Sequence, residues 1–353
     1  MSLNQLRKKI DIIDKKITEL LNARAGLSLD IAGLKKKSGG SIYVPARERE
    51  VLKRVVRMSK GPVKPKALEA IYREIMSSSL SLEKPLKIAY LGPEATFTQL
   101  AAIKRFGSQV QYVSCDSIAG VFSAVEKDNA DYGVVPIENS VEGMVTHTLD
   151  MLIDSDLKIC AQIVLDIAQN LLANCSLSKV KKVYSKMEVF GQARMWLREN
   201  LPCVELIEVS STSRAAQIAA KEKNSACIAS SLAAKTYGLK IAASAIEDSP
   251  HNITRFMVVG RTDAGPTGED KTSILFSVKD RVGALHDMLV PFRKYHINLT
   301  KIESRPSKKK AWDYYFFVDL MGHKDSPNVV KALKELEHKC TFLKILGSYP
   351  VGE

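Results

Sequence analysis

Two short polar stretches of this sequence carry side chains that could bind a ligand and move a proton. Glu138-Asn139-Ser140 follows the apolar run DYGVVPI, and Thr254-Arg255-Phe256 begins another apolar run. Polar residues where a buried strand ends commonly form ligand sites in α/β proteins, and a helix predicted to start at Thr146 would favour an anion. The alternative is that Asn139 and Ser140 only cap this helix, because both residue types are preferred at helix N-termini.

A second set of charged side chains lies within a helical pattern at the start of the chain. Residues 1–84 hold 19 Lys and Arg against nine Asp and Glu, so most of the net charge of +13 lies here. Apolar residues recur at spacings of three and four from Leu3 to Leu20, and the next core position is Arg24. Lys35 points to nearly the same side of the helix, whereas Arg7 is turned about 100° away.

Cations that face different ways on one helix favour an anionic ligand shared between helices or subunits, because a buried charge needs a partner. The alternative is that Arg24 extends its charge into solvent, and that Lys35 belongs to a solvated run of three lysines.

The rest of the chain separates into two further blocks. Residues 86 to about 261 alternate short apolar strands with amphipathic helices, an α/β pattern. After a polar linker at 265–270, the order of elements is β-α-β-β-α-β, as in ferredoxin-like domains. We therefore predict a multi-domain protein with an all-α helical domain at 1–85, an α/β domain at 86–262 and a ferredoxin-like α+β domain at 272–350.

The composition is that of a globular protein without a membrane span. The apolar content is 45% and the charged content 26%, and the N-terminus has no apolar leader. The six cysteines are scattered, with neither a CxxC pair nor metal-like spacing. We expect a cytoplasmic protein that uses no metal and no cofactor.

The first block resembles the all-helical class of chorismate mutase. The resemblance rests on LRKKID, LLNARAGLSLDIAGLKKKSG, YVPAREREVL and IYREIMSSSLSLE, in this order. It implies that cations hold the two carboxylates of chorismate while the substrate rearranges, and that Lys35 at the ether oxygen and Glu83 are catalytic. The implied substrate contacts are Arg7 (from the partner subunit), Arg24, Lys35, Val44, Arg47, Glu48 (at the ring hydroxyl), Ser79 and Glu83.

Two positions of this block bear on its activity. Val44 stands where some relatives carry an aspartate that contacts the substrate, so the block could instead be a degenerate dimerisation element. A carboxylate at Glu83 must be protonated before it can donate a hydrogen bond to an oxygen. We therefore predict that mutase activity rises on mild acidification.

The second block resembles prephenate dehydratase, through YLGPEATFTQLAA, GVVPIENSVEGMVTHTLD, VYSKMEVFGQARMWL, SSTSRAAQIAA, ACIAS and NITRFMVVG. The resemblance implies two α/β lobes, similar to a periplasmic binding protein, with the site between them. Thr254 would be the hydroxyl at the departing OH group, and Glu138 is a candidate acid if the cleft buries it. The implied prephenate contacts are Asn139, Ser140, Ser185, Gln192, Ser211, Thr212, Arg255 and Phe256.

This block departs from the family pattern in two places. Ala95 replaces the second glycine of Gly-Pro-x-Gly-Thr-Phe, which weakens the expectation of a positive φ there. Ser185-Lys186-Met187-Glu188 replaces Ser-His-Pro-Gln, so the roles of that His and Gln cannot be transferred. Ser213 could add a hydroxyl to the substrate cradle, and Arg255 could instead be structural.

The third block resembles a phenylalanine-binding ACT domain, through DRVGALHDML and NLTKIESRP. The resemblance implies feedback inhibition by L-phenylalanine in a homodimer or homotetramer, with the ESRP segment at a subunit interface. The implied effector contacts are Gly283, Ala284, Leu285, Asn298, Leu299, Glu303, Ser304 and Arg305. Without the motif, Gly283 would be only a turn residue and Glu303 and Arg305 a surface ion pair.

A different class of function is compatible with the basic first block. The chain could be a non-catalytic ligand sensor whose basic helical block binds nucleic acid. Against this, residues 1–84 contain no recognisable helix-turn-helix, and Arg24 lies in the apolar seam rather than on an exposed basic stripe. The partners we expect are therefore chorismate, prephenate and L-phenylalanine, without nucleic acid or membrane.

Overall fold

The computed structural model describes residues 1–38, 43–249, 251–279, 281–306 and 314–352. Within the predicted third block, residues 280 and 307–313 lie outside these ranges. The chain divides into two compact units, Met1–Lys87 with Arg105–Gln111, and Ile88–Lys104 with Tyr112–Glu353. The helical unit therefore includes a short segment from the middle of the chain in addition to the predicted residues 1–85.

The first unit contains three helices, as the sequence pattern predicts. They are α1 (Leu3–Ser38), α2 (Pro45–Met58) and α3 (Pro65–Glu83). Both α2 and α3 begin with proline, whose fixed φ suits the first helical position. Val51, Leu52 and Met76 form a small core between α2 and α3. The apolar seam of α1 remains exposed, with Leu20 at 70% and Leu34 at 66%.

The second unit begins with the first lobe of the α/β domain. Its sheet has the strand order β2-β1-β3-β11-β5, with β4 paired to β3, and β11 runs antiparallel to both of its neighbours. The elements are β1 (Lys87–Leu91), α4 (Phe97–Phe106), β2 (Gln111–Cys115), α5 (Ile118–Glu126), β3 (Tyr132–Asn139), β4 (Gly143–Met144), α6 (Thr146–Asp154), β5 (Lys158–Asp166) and β11 (Ile253–Gly260).

A second sheet forms the other lobe, with the strand order β10-β6-β9-β7-β8. Its elements are β6 (Asn170–Ala173), a 3-10 helix (Leu177–Lys179), β7 (Lys182–Ser185), α7 (Met187–Gln192), α8 (Arg194–Asn200), β8 (Glu205–Glu208), α9 (Thr212–Ala219), β9 (Ser225–Ala229), α10 (Ser231–Tyr237) and β10 (Lys240–Ala243). The two-lobed α/β architecture is confirmed.

The chain crosses between the lobes twice, once after β5 and once before β11. The two crossing segments are hydrogen-bonded to each other, because Ile167 N donates to Asn252 O and Ile246 N donates to Gln169 O, both at 2.8 Å. Gln169 and Asn252 are therefore held where the lobes meet, which is where a cleft site is expected.

The last part of the chain has the predicted ferredoxin-like order. It consists of β12 (Asp270–Ser277), α11 (Ala284–Lys294), β13 (Leu299–Pro306), β14 (Tyr314–Met321), α12 (Pro327–Glu337) and β15 (Phe342–Pro350), and the antiparallel sheet is ordered β13-β14-β12-β15.

Alternate residues of this sheet pack in opposite directions, so both faces are buried. Ile274 and Phe276 contact the core of α11 and α12. Leu275 and Tyr349 instead join the core of the first lobe, with Leu149 of α6. The ferredoxin-like domain and the first lobe therefore share one hydrophobic core.

Candidate active sites

The three helices of the first unit enclose a cavity of about 630 Å³, a size suited to a small metabolite. Polar and charged side chains from all three helices lie on its wall. Of the predicted chorismate contacts, those that line the cavity are Arg24, Lys35, Val44, Arg47, Glu48, Ser79 and Glu83. Arg7 lies on the exposed surface of α1, away from this wall.

Arg24 and Lys35 both face α3 rather than extending only into solvent. Arg24 donates to Ser79 Oγ at 2.6 Å, and Ser79 in turn donates to Ile75 O at 3.0 Å. Lys35 Nζ lies 3.7 Å from Glu83 Oε2. This buried oxygen of Glu83 has no hydrogen-bond partner among the described residues, so it is a polar atom available to a ligand.

Glu48 and Tyr43, which line the cavity, both contact an arginine that sequence reasoning did not identify. Arg105 lies 3.2 Å from Glu48 and donates to the Tyr43 hydroxyl at 2.5 Å. Its guanidinium also lies over the Tyr43 ring, 5.6 Å from the centroid. No local pattern links Arg105 to Glu48, because tertiary folding alone brings these two positions together. Arg47 forms an exposed ion pair with Glu50 at 2.6 Å.

In the two-lobed domain, Glu138-Asn139-Ser140 (the ENS segment) and Thr254-Arg255-Phe256 (the TRF segment) lie side by side, at the ends of adjacent strands. Thr254 of β11 pairs with Asn139 of β3, and Arg255 pairs with Glu138. Asn139 Nδ2 donates to Thr254 Oγ1 at 2.8 Å. The polar residues that the sequence separates by more than a hundred positions therefore form one cross-strand pair.

A chain of amide side chains continues from this pair towards the second lobe. Asn139 donates to Asn252 at 2.7 Å, and Asn252 donates to Gln192 Oε1 at 3.0 Å. Gln192 also accepts from Gln169 and donates to Glu142. Gln192 and Asn252 line a cavity of about 420 Å³. Sequence reasoning missed Gln169 and Asn252, although Asn252 lies two residues before Thr254 and so shares its side of the chain.

Asn139 and Ser140 do not cap α6. The residue that precedes the first turn of α6 is Val145, without a side-chain cap. Asn139 Oδ1 instead accepts from the backbone of Val141 and Glu142. Ser140 accepts from Ile253 N and donates to His251 O, so it ties the ENS turn to the segment before Thr254.

Several hydroxyls predicted to contact prephenate are engaged with the protein itself. Ser185 is fully buried and donates to Ile228 O at 3.0 Å. Ser211 caps α9 by accepting from Arg214 N, and Thr212 is the buried first residue of that helix. Ser213 donates to Glu94 O. Phe256 is a buried core residue, 2% exposed.

Glu138 and Arg255 face away from Thr254, because successive strand residues point to opposite sides of a sheet. Glu138 forms ion pairs with Lys301 of β13 and, at 3.9 Å, with Arg255. Arg255 lies 2.6 Å from Asp319 of β14. Burial acts to lower the pKa of Arg255, but Asp319, Tyr349 and Glu138 together raise it by more, and the pKa lies above its ordinary value.

The turn at Ala95 contradicts the expectation drawn from the loss of its glycine. Ala95 adopts φ = 67°, in the left-handed region, and is fully buried. Its N–H donates to Gln99 Oε1 at 2.5 Å, which holds the turn in place. Tertiary contacts therefore impose the positive φ despite the steric cost of a Cβ.

The ferredoxin-like domain carries all the predicted effector contacts. Gly283 adopts φ = 79° directly before α11, where Ala284 is buried and Leu285 is exposed. The other positions lie at or within β13, which follows the exposed Asn298 and contains Leu299, Glu303, Ser304 and Arg305. Arg305 pairs at 3.1 Å with Asp150 of α6 in the same chain.

The described ranges contain no cluster of three or more His, Cys, Asp or Glu side chains suited to a metal ion. None of their helices combines the length and the apolar character needed to cross a membrane.

Comparison with known proteins identifies each domain. The family model for chorismate mutase type II matches residues 6–84, that for prephenate dehydratase matches 88–264, and that for the ACT domain matches 272–338. The solved structure of a prephenate dehydratase in complex with L-Phe from Arthrobacter aurescens is similar, with a TM-score of 0.71 and 33% identity. That match covers 75% of this chain and 90% of the other.

Two relatives match nearly the whole chain. A bifunctional chorismate mutase/prephenate dehydratase of Aquifex aeolicus is 54% identical, over 99% of this chain and 98% of the relative. Another, of Pseudomonas aeruginosa, is 43% identical over 99% of this chain and 97% of the relative. The chain therefore belongs to the family of bifunctional chorismate mutase/prephenate dehydratases. It is an enzyme, which rules out the sensor interpretation.

Proposed function

We propose that the helical unit rearranges chorismate to prephenate in its cavity, and that the two-lobed domain converts prephenate to phenylpyruvate beside Asn139 and Thr254. The observation that carries the second step is the hydrogen bond between these two side chains. Prephenate would thus be made and consumed by the same chain in the biosynthesis of L-phenylalanine.

The rearrangement needs no nucleophile, only a compact substrate conformer and positive charge near the ether oxygen. Arg24 and Lys35 supply cations to the cavity wall. Glu83 presents a buried oxygen without a hydrogen-bond partner among the described residues, which supports a ligand contact there. We propose that Arg24 and Arg47 bind the substrate carboxylates and that Lys35 and Glu83 flank the ether oxygen.

The second reaction breaks two bonds of prephenate. The bond from the ring to its carboxylate breaks and leaves its electron pair in the ring, which becomes aromatic and expels hydroxide. Hydroxide is a poor leaving group, so a proton or a strong hydrogen bond must reach it. Thr254 Oγ1 accepts from Asn139, and no acceptor for the Thr254 proton is found among the described residues. We propose that the Thr254 hydroxyl donates a hydrogen bond to the departing hydroxyl and stabilises the negative charge that develops on it, while the ring carboxylate leaves as CO2.

We propose that L-phenylalanine binds the ACT domain and inhibits the dehydratase. The L-Phe complex of the Arthrobacter aurescens protein supports the effector. Gly283 places the first N–H groups of α11 in a turn, and such groups can hold a carboxylate. Inhibition requires that L-phenylalanine bind one state of the protein better than the other.

We further propose a cytoplasmic homodimer or homotetramer, in which α1 packs against α1 of a second copy. The seam residues Ile10, Ile13 and Ile17 are each about half exposed, a pattern that an isolated chain rarely leaves uncovered. Such packing would bring Arg7 into the partner's cavity.

One coupled assay tests the whole proposal. Purified protein supplied only with chorismate is expected to form phenylpyruvate, and added L-phenylalanine is expected to stop this second step. Accumulation of prephenate without phenylpyruvate would contradict the dehydratase assignment. Chorismate left unchanged, with prephenate still consumed when supplied directly, would reduce the helical unit to an oligomerisation element.

A further inference from the structure

Arg255 connects the dehydratase site to the ACT domain. Its neighbour Thr254 faces Asn139, whereas the Arg255 side chain points to the opposite side of β11 and is 15% exposed. There its guanidinium lies 2.6 Å from Asp319 Oδ2 of β14 and 3.9 Å from Glu138 Oε2.

Asp319 is held in place from its other side as well. Its Oδ1 accepts from the Ser273 hydroxyl at 2.5 Å, and that hydroxyl lies 2.7 Å from the hydroxyl of Tyr349. All three residues are at most 5% exposed. Because each carboxylate oxygen has a specific partner, Asp319 gives Arg255 a fixed anchor.

A second ion pair supports the neighbouring strand in the same way. Lys301 of β13 contacts Glu138, which precedes Asn139. Asn139 and Thr254 therefore each have a neighbour in the chain, Glu138 and Arg255, that forms an ion pair with the ACT sheet. Without the Asp319 carboxylate, Arg255 would keep only the longer contact with Glu138, and its guanidinium would move towards Glu138, other acceptors or water.

We infer that Asp319 is a positioning residue for the dehydratase reaction, which acts through Arg255 to hold Thr254 in place against Asn139. This inference rests on the proposed role of Thr254. A displacement of about 1 Å at a reacting group can lower a rate by about 100-fold. Asp319 itself lies on the far side of the strand and does not touch the substrate.

The first test is Asp319→Asn in the full-length protein. We expect the dehydratase kcat to fall by about 10- to 100-fold while KM changes by less than about 3-fold, since the substrate contacts remain. The mutase rate of the same sample reports how much of the protein is folded, because this activity belongs to the separate helical unit. Asp150→Asn is the matched control, because it also removes a carboxylate that pairs an ACT arginine with the first lobe, away from Thr254.

A double-mutant cycle separates positioning from general stabilisation. If Asp319 acts through Arg255, Asp319→Asn should lower kcat by less than about 2-fold in an Arg255→Gln background. If Asp319→Asn lowers kcat as much in the Arg255→Gln background as in the wild type, the inference is overturned. Equal falls in kcat for Asp319→Asn and Asp150→Asn would also overturn it.

Arg255→Lys covers the case in which Asp319→Asn does not fold. It keeps the charge beside Asp319 but not the fixed geometry of the guanidinium, so kcat is expected to fall by at least about 10-fold. A wild-type kcat in this variant would refute the inference. If Thr254→Ala has lost dehydratase activity while Asp319→Asn has the wild-type rate, only the positioning role of Asp319 is refuted. If Thr254→Ala keeps dehydratase activity, the proposed role of Thr254 is refuted instead.

Discussion

Asn139 Nδ2 lies 2.8 Å from Thr254 Oγ1, across the antiparallel pairing of β3 and β11. The direction of this hydrogen bond matters, because an amide N–H donates and the threonine oxygen accepts. The proton of Thr254 then remains available to a ligand.

Removal of the Thr254 hydroxyl should abolish most dehydratase activity. We expect Thr254→Ala to lower kcat by about 100- to 1,000-fold, the size of effect seen when one donor to a developing charge is lost. Thr254→Ser keeps the hydroxyl and should retain most of the rate. Mutase activity should be unaffected in both variants, and a wild-type dehydratase rate in Thr254→Ala would refute the proposed role.

Asn139→Asp should reverse the hydrogen bond between the two strands. The introduced carboxylate can only accept, so the Thr254 proton would be drawn towards it and away from the substrate. We expect kcat to fall by at least about 10-fold at neutral pH. An unchanged kcat would show that Thr254 does not act as a donor.

The pH dependence of the mutase should identify the role of Glu83. If its carboxyl group must be protonated to donate to the ether oxygen, activity rises as the pH falls from about 8 to about 5. Glu83→Gln donates at every pH and should flatten the profile. A wild-type mutase rate that is independent of pH over this range would contradict the role.

Arg105 should support the mutase cavity, although it lies outside residues 1–85. Arg105→Gln removes the ion pair with Glu48, and we expect the mutase KM for chorismate to rise by about 3- to 10-fold. Arg57→Gln is the control, because it removes the same charge from an exposed position of α2. Equal KM values for the two variants would argue against a role for Arg105.

Two glycines with similar backbone conformations allow a test of the effector site. Gly283 has φ = 79° and Gly268, in the linker, has φ = 86°, so alanine should strain both by about 1–2 kcal/mol. Only Gly283→Ala should weaken L-phenylalanine binding, measured by calorimetry. If both variants bind like the wild type, the turn before α11 is not part of the site, and if the wild type itself binds no L-phenylalanine, the effector proposal fails.

Local patterns predicted most of the individual elements. The apolar spacing of the first block predicted its helices, and the polar turn after β3 predicted that α6 starts at Thr146. The strands β2, β4, β5, β6, β8 and β10 were not predicted. Short strands that form part of a sheet carry little local signal, because their stability comes from pairing with distant neighbours.

The role of a residue depends on the direction in which its side chain points as well as on its position in the sequence. The motifs identified Asn139, Thr254 and Gln192, which the fold connects by hydrogen bonds through Asn252. They also suggested Glu138 as an acid and Ser185 as a substrate contact. The fold turns Glu138 towards Lys301 and buries Ser185 against a backbone carbonyl.

The amino-acid sequence by itself determined the three-domain organisation, the two activities and several of the polar residues that line the cavity of the helical unit, because helix periodicity and motif order are local properties. Only the tertiary structure decided which of these side chains meet. Strand pairing brought Asn139 to Thr254, and packing of the ACT sheet on the first lobe brought Asp319 to Arg255. These contacts depend on the register and facing of distant segments, which no local stretch of the sequence encodes.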